Sequence, residues 1–407
     1  MRPASTASAA RADPHGALRA HAFEQVRAAG RLSRIDLAKR LGVSPASVTT
    51  LSAELLAEGL IEEAVSPRRE GDAARGRPPV ALAVRAEARR VAGLNLSDHA
   101  NTAVIFDLAG AELARATLPR QGPDQGPDQG PGPGSGHGSG HGSGAGPRGD
   151  AAALAAEAAA ALDAALAQAG LDRGDIAAVG AGLPGVVDHG AGLACWSPLL
   201  ADRDVALGAA LTEALGLPAS IDNDANLLAL GEQWFGAGRA QSDFAVVTVE
   251  NGVGLGLVLD GRLWRGAAGP ALEIGHAKVE LDGALCRCGR RGCLEAYVAD
   301  YALLREAQAY DAALSGAGAP PRTVEGLQAA ARAGDASARS ILRRSARYLG
   351  LALGNLANLL DPPLILLAGS RLSEGDPDLD AALEEMRSLV LDQSRPAPRV
   401  LLREGGG

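Results

Sequence analysis

Between residues 273 and 295 the sequence EIGHAKVELDGALCRCGRRGCLE places one histidine and three of the chain's four cysteines between two glutamates. Three thiolates and one imidazole complete a tetrahedral zinc set, with Cys286, Cys288 and Cys293 clustered and His276 a short hairpin upstream. Glu273 and Glu295 then stand beside a fixed metal. The competing readings are buried thiols, or disulfides in an exported protein. Cys286 and Cys288 are too close in sequence to bridge each other easily, and Arg287, Arg290 and Arg291 make poor core neighbours. Cys195 stands alone and reads as a small buried hydrophobe.

A second polar group lies at NDAN, residues 223–226, where the strand ASID runs into a helix. That is the rim of an α/β sheet, the usual place for a ligand. Several elements must position it. IAAVGAGLPG reads as a buried strand entering a glycine-proline turn, and residues 207–215 as a helix. FAVVTVE turns through NGVGLGLVLDG into a glycine-rich hairpin. The chain beyond the cysteines reads as helical to about residue 358, with DPPLILLAGS as the last buried strand. Strand, glycine turn, strand recurs in both halves, as in a duplicated two-lobed α/β fold.

The amino-terminal part follows a different plan. ALRAHAFEQVRAAG sets Leu18, Ala22 or Phe23, and Val26 on one helical face and stops at Gly30. Ser33, three residues before Asp36, opens a short helix with Ile35, Leu37, Ala38 and Leu41 inward, closed by Gly42. Ser44 followed by Pro45 caps a third helix to about Glu58, its stripe Val48, Leu51 and Leu55. This is a helix-turn-helix spacing, which a small helical bundle also shows. As a DNA reader it presents Ser44, Ala46, Ser47, Thr49 and Thr50 to base edges or phosphates in the major groove. Residues 60–65 and 80–84 read as strands flanking a turn with Arg68, Arg69, Arg75 and Arg77. That turn is either a wing suited to phosphates or a narrow minor groove, or a solvated basic loop.

Charge follows the same division. Residues 1–90 carry 15 Lys and Arg against 10 Asp and Glu, a net +5, leaving −14 for the rest of a chain whose total is −9. A basic head on an acidic body directs only the head to a polyanion. Residues 1–15 read as a disordered leader, 16–88 as the DNA-binding domain and 91–407 as the body. A low-complexity insert with GPDQ and GSGH repeats spans 121–149, where His137 and His141 read as solvated. No signal core is visible and no run reads as long and apolar enough to span a bilayer, so a reducing cytoplasm without membrane partners is expected.

GRPPVAL, GLPGVVD, DNDAN, GLGLVLDG, the unit from Glu273 to His276 and CRCGRRGCLE together resemble the ROK family of repressors, open reading frames and sugar kinases, and specifically its transcriptional regulators. They occur in the family's order and at about its spacing over nearly the whole chain. The resemblance implies an N-terminal winged helix-turn-helix plus an α/β actin-like ATPase fold of the sugar-kinase type, with two ribonuclease H-like lobes closing on a sugar. It makes Asn223 and Asp224 the sugar-contacting pair, Asp224 matching the kinases' general base, a carboxylate able to take a hydroxyl proton. Glu273 and Glu295 match acceptors of sugar hydroxyls, and His276 would hold zinc through one nitrogen and leave the other for the sugar.

The departures are as informative. A kinase of the family has an acidic residue, two glycines and a threonine in its first phosphate turn, where this sequence has Asn95, Ser97, Asp98 and His99. In the second, a glycine and threonine are replaced by Glu250 and Asn251, and the adenosine-side turn, residues 368–370, matches only approximately. Each carboxylate near a triphosphate costs on the order of 1 kcal/mol in a water-like medium and several in a drier cleft. ATP is therefore not expected. The expectation is a sugar-responsive regulator, a repressor that binds operator DNA as a homodimer or dimer of dimers, with structural zinc and Asp224 a vestigial base. The alternative is an ATP-dependent hexokinase- or glucokinase-type enzyme with a DNA-binding head; a third is a body that takes a phosphorylated sugar or a protein.

Overall fold

The computed structural model describes residues 14–65, 80–120, 149–266, 271–315, 323–391 and 396–403. By packing, the chain divides into two units, one of residues 1–93, 104–116 and 163–179, the other of residues 94–103, 117–162 and 180–407. The turn after Asp107 groups with the head, where the Leu108 N–H donates to the Ala86 carbonyl at 3.0 Å.

The head begins with α1 (Pro14–Ala29), two residues ahead of the expected edge at 16. Its inward stripe is Leu18, Ala22 and Val26; Ala22 is fully buried and Phe23 packs beside it. β1 (Arg31–Ser33) leads into α2 (Arg34–Leu41), where the Ser33 hydroxyl accepts the Asp36 N–H at 3.1 Å and donates to the Asp36 carboxylate at 2.8 Å. Gly42, at φ 64, closes α2 in the left-handed conformation. Ile35, expected inward, is 68% exposed. Two residues amount to about 200° of helix, so Ile35 points away from the face that buries Leu37. In α3 (Pro45–Ala57) the Ser44 hydroxyl caps the Ser47 N–H at 3.1 Å, and Val48, Leu51 and Leu55 are buried. β2 (Ile61–Val65) and β3 (Val80–Val84) pair antiparallel, giving a sheet of order β1-β3-β2. The head is a winged helix-turn-helix in which the turn with Arg68, Arg69, Arg75 and Arg77 lies outside the described residues.

In the rest of the chain, β4 (Arg90–Leu96), β5 (Ala100–Asp107) and β6 (Glu112–Pro119) form a meander, followed by α4 (Ala151–Ala169), β7 (Ile176–Leu183), β8 (Val186–Asp188) and β9 (Leu193–Trp196). Next come α5 (Leu207–Leu215), β10 (Ala219–Asn223), α6 (Asp224–Phe235), β11 (Phe244–Val249), β12 (Val253–Leu259) and β13 (Arg262–Leu263). After the cysteine loop the chain forms α7 (Glu295–Val298), α8 (Asp300–Ser315), α9 (Val324–Ala333), α10 (Ala336–Leu360), β14 (Leu364–Ala368), α11 (Pro377–Leu389) and β15 (Arg399–Arg403). One sheet has the order β6-β5-β4-β7-β10 and the other β13-β12-β11-β14-β15. Numbered along each half, both read third, second, first, fourth, fifth. The duplication expected from the recurring glycine turns is therefore one of topology.

Two expectations need correction, and one strand was not foreseen. β14 is fully buried, as expected of the last buried strand, and β15, only partly buried, lies parallel outside it. With prolines just before it and three apolar residues between arginines, RVLLR carries too short a pattern to announce a strand. Cys195, on β9, is half-buried rather than buried. One described helix, α4, is long and apolar enough to cross a membrane by length and composition. Its Leu154, Ala158, Ala161, Leu162 and Ala165 are nonetheless buried in the protein, so one face is core.

Candidate functional site

The polar pair at the α6 N-terminus is held by its neighbours on three sides. Asn223 caps the helix, its Oδ1 accepting the Ala225 N–H at 2.9 Å while its Nδ2 donates to the Gly185 carbonyl at 2.8 Å. Much of its hydrogen-bonding capacity is thus spent on the turn, leaving one N–H and one lone pair for a ligand. Asp222, only 2% exposed, is saturated: Oδ1 accepts from the Asn223 N–H and Asn226 Nδ2, and Oδ2 from Arg265 Nε at 2.8 Å and Nη2 at 2.7 Å. Sequence reasoning missed both Asp222 and Arg265; only the first Asp of DNDAN offered a signal. On the other side, α6 rests directly on β12, since a Cβ on Gly256 would fall 2.4 Å from the Ala225 carbonyl oxygen.

A short turn, residues 274–276, carries Glu273 and His276. Gly275 brings it against β12, where a Cβ would meet the Val253 carbonyl oxygen at 2.4 Å. The ligand atoms of His276, Cys286, Cys288 and Cys293 lie within 4.8 Å of one another, a set that could hold a metal ion. Cys286 Sγ is 3.7 Å from His276 Nδ1, and Cys288 Sγ is 3.7 Å from Cys293 Sγ. These spacings match the edge of roughly 3.8 Å of a tetrahedron built on metal–sulfur bonds of about 2.3 Å. Lys278 Nζ donates to Cys293 Sγ at 2.9 Å and to the Arg291 carbonyl, placing one ammonium where it would offset the charge of thiolates holding a metal.

Glu295 begins α7 beside this loop, close to Cys286 Sγ and to the Tyr301 hydroxyl at 3.5 and 3.2 Å. Burial, then the charges of Glu295 and Cys286, push the Tyr301 phenol well above its ordinary range, so it remains a donor. Asp224 and Glu273 are open to solvent yet walled by protein. Desolvation and, less, the Glu250 charge raise Asp224 to about 6, against hydrogen bonds from the Ala225 and its own N–H groups and from Asn223. Desolvation, then Asp224 and Glu295, raise Glu273 to about 7. Water reaches both carboxylates and works against the first cause, which leaves mutual repulsion the firmer one. Asp224, Glu250, Glu273 and Glu295 therefore form one electrostatic group of acceptors, suited to neutral hydroxyls and unfavourable to phosphates.

The three turns expected on the phosphate and adenosine side are tied together by their own side chains. Asn251 Nδ2 donates to Asp98 Oδ2 at 3.3 Å. The Glu250 carboxylate accepts the Ser370 N–H at 2.9 Å and its hydroxyl at 3.2 Å. Ser97 folds back on its own turn, donating to the Ala100 carbonyl at 2.6 Å.

In the head, Ser44, Ala46, Thr49 and Thr50 are exposed on α3 and Ser47 is half-buried. Their hydroxyls are partly engaged: Ser44 with Ser47, Thr49 with the Pro45 carbonyl at 2.9 Å and Thr50 with that of Ala46 at 3.3 Å. The exposed face is thus small, rigid and able to approach a groove closely. Arg75 and Arg77 lie outside the described residues.

The sequence profile of the ROK family matches residues 154–405, and that of a winged helix-turn-helix DNA-binding domain matches residues 24–62. The chain is 36% identical over 227 residues to a glucokinase of Halalkalibacterium halodurans, covering 54% of this chain and 69% of the relative. It is 28% identical over 374 residues to the DNA-binding transcriptional repressor Mlc of Escherichia coli, covering 90% and 83% respectively. A solved ROK family transcriptional regulator, described as a homolog of the E. coli protein, superposes with a TM-score of 0.65 at 25% identity, covering 94% of this chain and 91% of its own.

Proposed function

The chain belongs to the ROK family, and from that premise we propose that it is a sugar-responsive transcriptional repressor, with a DNA-binding head at residues 16–88 and an effector-binding body at residues 91–407. The observation that carries this reading is the joining, in one chain, of a winged helix-turn-helix to an actin-like body whose acceptor carboxylates face solvent. Asn223, Asp224, Glu273, His276 and Glu295 take the monosaccharide. Ser44, Ala46, Ser47, Thr49, Thr50, Arg75 and Arg77 meet operator DNA. His276, Cys286, Cys288 and Cys293 hold structural zinc, a closed thiolate-imidazole set that fits this ion better than harder cations. The metal supplies a fixed frame, and the chain's carboxylates do the recognising.

Binding of the sugar shifts the body toward a closed arrangement, which requires that the closed state bind it more tightly than the open one. In a homodimer or dimer of dimers that shift alters the spacing of two α3 helices, so that they no longer fit successive major grooves, and repression is relieved. ATP is not used: Asp98 and Glu250 belong to the turns expected to meet a triphosphate and would repel its charge, so the sugar beside Asp224 has no phosphoryl donor to attack. All of this belongs to the cytoplasm. A gel-shift titration of the operator against a monosaccharide panel tests the coupling, and unchanged operator affinity with a sugar that demonstrably binds would refute it.

The likeness to glucokinases and the retained Asp224 favour a second reading, an ATP-dependent sugar kinase with an appended head. Sugar-dependent ADP release at ordinary enzyme rates, of about 1 s⁻¹ or more, would establish it in place of the first.

A further inference from the structure

We propose that Tyr301 is a positioning residue that couples the cysteine loop to the sugar-facing carboxylate Glu295. The inference rests on the reading of Glu295 as a sugar acceptor. The Tyr301 hydroxyl lies at a junction of three groups. It is 3.2 Å from Glu295 Oε1, receives the Arg287 N–H at 3.4 Å and stands 3.7 Å from Cys286 Sγ. Arg287 sits between two of the cysteines, so its backbone moves only with the loop.

The ring is held as firmly as the hydroxyl. The Arg287 guanidinium lies 3.7 Å from the ring centroid and that of Arg305 at 5.7 Å. Arg305 in turn donates to the Leu285 carbonyl at 2.7 Å and to the Ala296 carbonyl at 3.3 Å, strapping the loop to the helix that begins with Glu295. A phenol clamped by a cation on its face and aimed at a carboxylate has few rotamers left.

Cys286 Sγ is also 3.5 Å from Glu295 Oε1, so the cysteine, the hydroxyl and the carboxylate form one cluster. The hydroxyl stands closer to Glu295 than to the sulfur, and its approach to Oε1 leaves Oε2 the freer oxygen for the sugar.

The test uses the full chain purified with its metal. Zinc content, melting temperature and affinity are measured with D-glucose, D-xylose and N-acetylglucosamine, and whichever sugar binds is carried forward. Tyr301→Phe keeps the ring beneath Arg287 and removes only the hydroxyl. We expect unchanged zinc content, a melting temperature within about 2 °C of wild type and roughly tenfold weaker sugar binding. In a Glu295→Gln background, assayed at millimolar sugar, the same change should alter affinity less than about twofold, because the group being positioned is gone. Wild-type binding that survives Tyr301→Phe overturns the inference and leaves the sugar reading intact. Loss of zinc or early melting in Tyr301→Phe also overturns it, by making the hydroxyl structural. A wild-type protein that binds no sugar removes the reading on which the inference stands.

Discussion

At Asp224 two demands compete. In the proposed sugar-binding role the carboxylate accepts a hydroxyl as the ionised form, yet the surrounding protein and Glu250 raise it from 3.8 to about 6. A folded-state value above the unfolded one means that the unfolded chain loses its proton first as pH rises. Stability therefore falls between roughly pH 4 and 6, while the binding-competent form grows. Sugar affinity is expected to be highest at pH 8 and to decline as pH falls through 7, where Glu273 takes a proton, and again through 6, where Asp224 does, as calorimetric titration would show; affinity that rises toward pH 5 contradicts the acceptor role. Asp224→Asn should melt above wild type at pH 7.5, with the gap closing at pH 4. Asp224→Ala should abolish the sugar response and leave operator affinity in gel shifts within about twofold; loss of both would make it a structural residue. Asp222 has the opposite character, a buried carboxylate with every partner supplied. Arg265→Met leaves it uncompensated and should cost on the order of 3 kcal/mol in urea unfolding.

At the scale of elements, the head and the cysteine loop can be perturbed separately. Ser44 is the cap of α3 before it is anything else, so Ser44→Ala should cost about 1 kcal/mol of head stability along with DNA affinity. Ala46→Glu adds a charge to the exposed first turn of the same helix without touching the core. It should remove operator binding at physiological salt, with sugar binding unchanged. Cys293→Ser should release the metal and, with it, the order of Glu273 and Glu295. Zinc analysis and a thermal-shift titration would show both losses together, and retained sugar binding without zinc would reduce the loop to a local staple.

For the whole molecule, the charge division and the duplicated sheets make different demands on a partner. The chain as a whole is acidic, at −9, but residues 1–90 are net positive, which favours a polyanion at the head alone. Operator affinity should accordingly fall steeply with salt, whereas affinity for a neutral sugar should barely change between 50 and 300 mM salt, values roughly bracketing the range in which phosphate contacts are screened. The two ties Asn251 to Asp98 and Glu250 to Ser370 engage side chains at the turns that the proposed regulator reading assigns to the phosphate side. A coupled assay should therefore detect no sugar-dependent ADP release.

Local rules sufficed wherever the information lay within one or two turns of chain. The caps at Ser33 and Ser44, the stop at Gly42, the stripe of Val48, Leu51 and Leu55 and the grouping of three cysteines all follow from spacings of two to seven residues, and the sequence by itself determined them. β15 escaped because five residues at a sheet edge carry too little periodicity, and Ile35 because an apolar residue need not face inward. What only the tertiary structure decided spans long separations: the Asn223 amide spent on Gly185, 38 residues away, Arg265 neutralising Asp222 across 43, and Asn251 meeting Asp98 across 153. Such pairs leave no periodic trace, since each side chain is chosen by a neighbour that only the packed sheets bring within hydrogen-bond reach. The same holds for Tyr301, which in the sequence is one aromatic among helical residues and in the fold stands between a cysteine and a carboxylate.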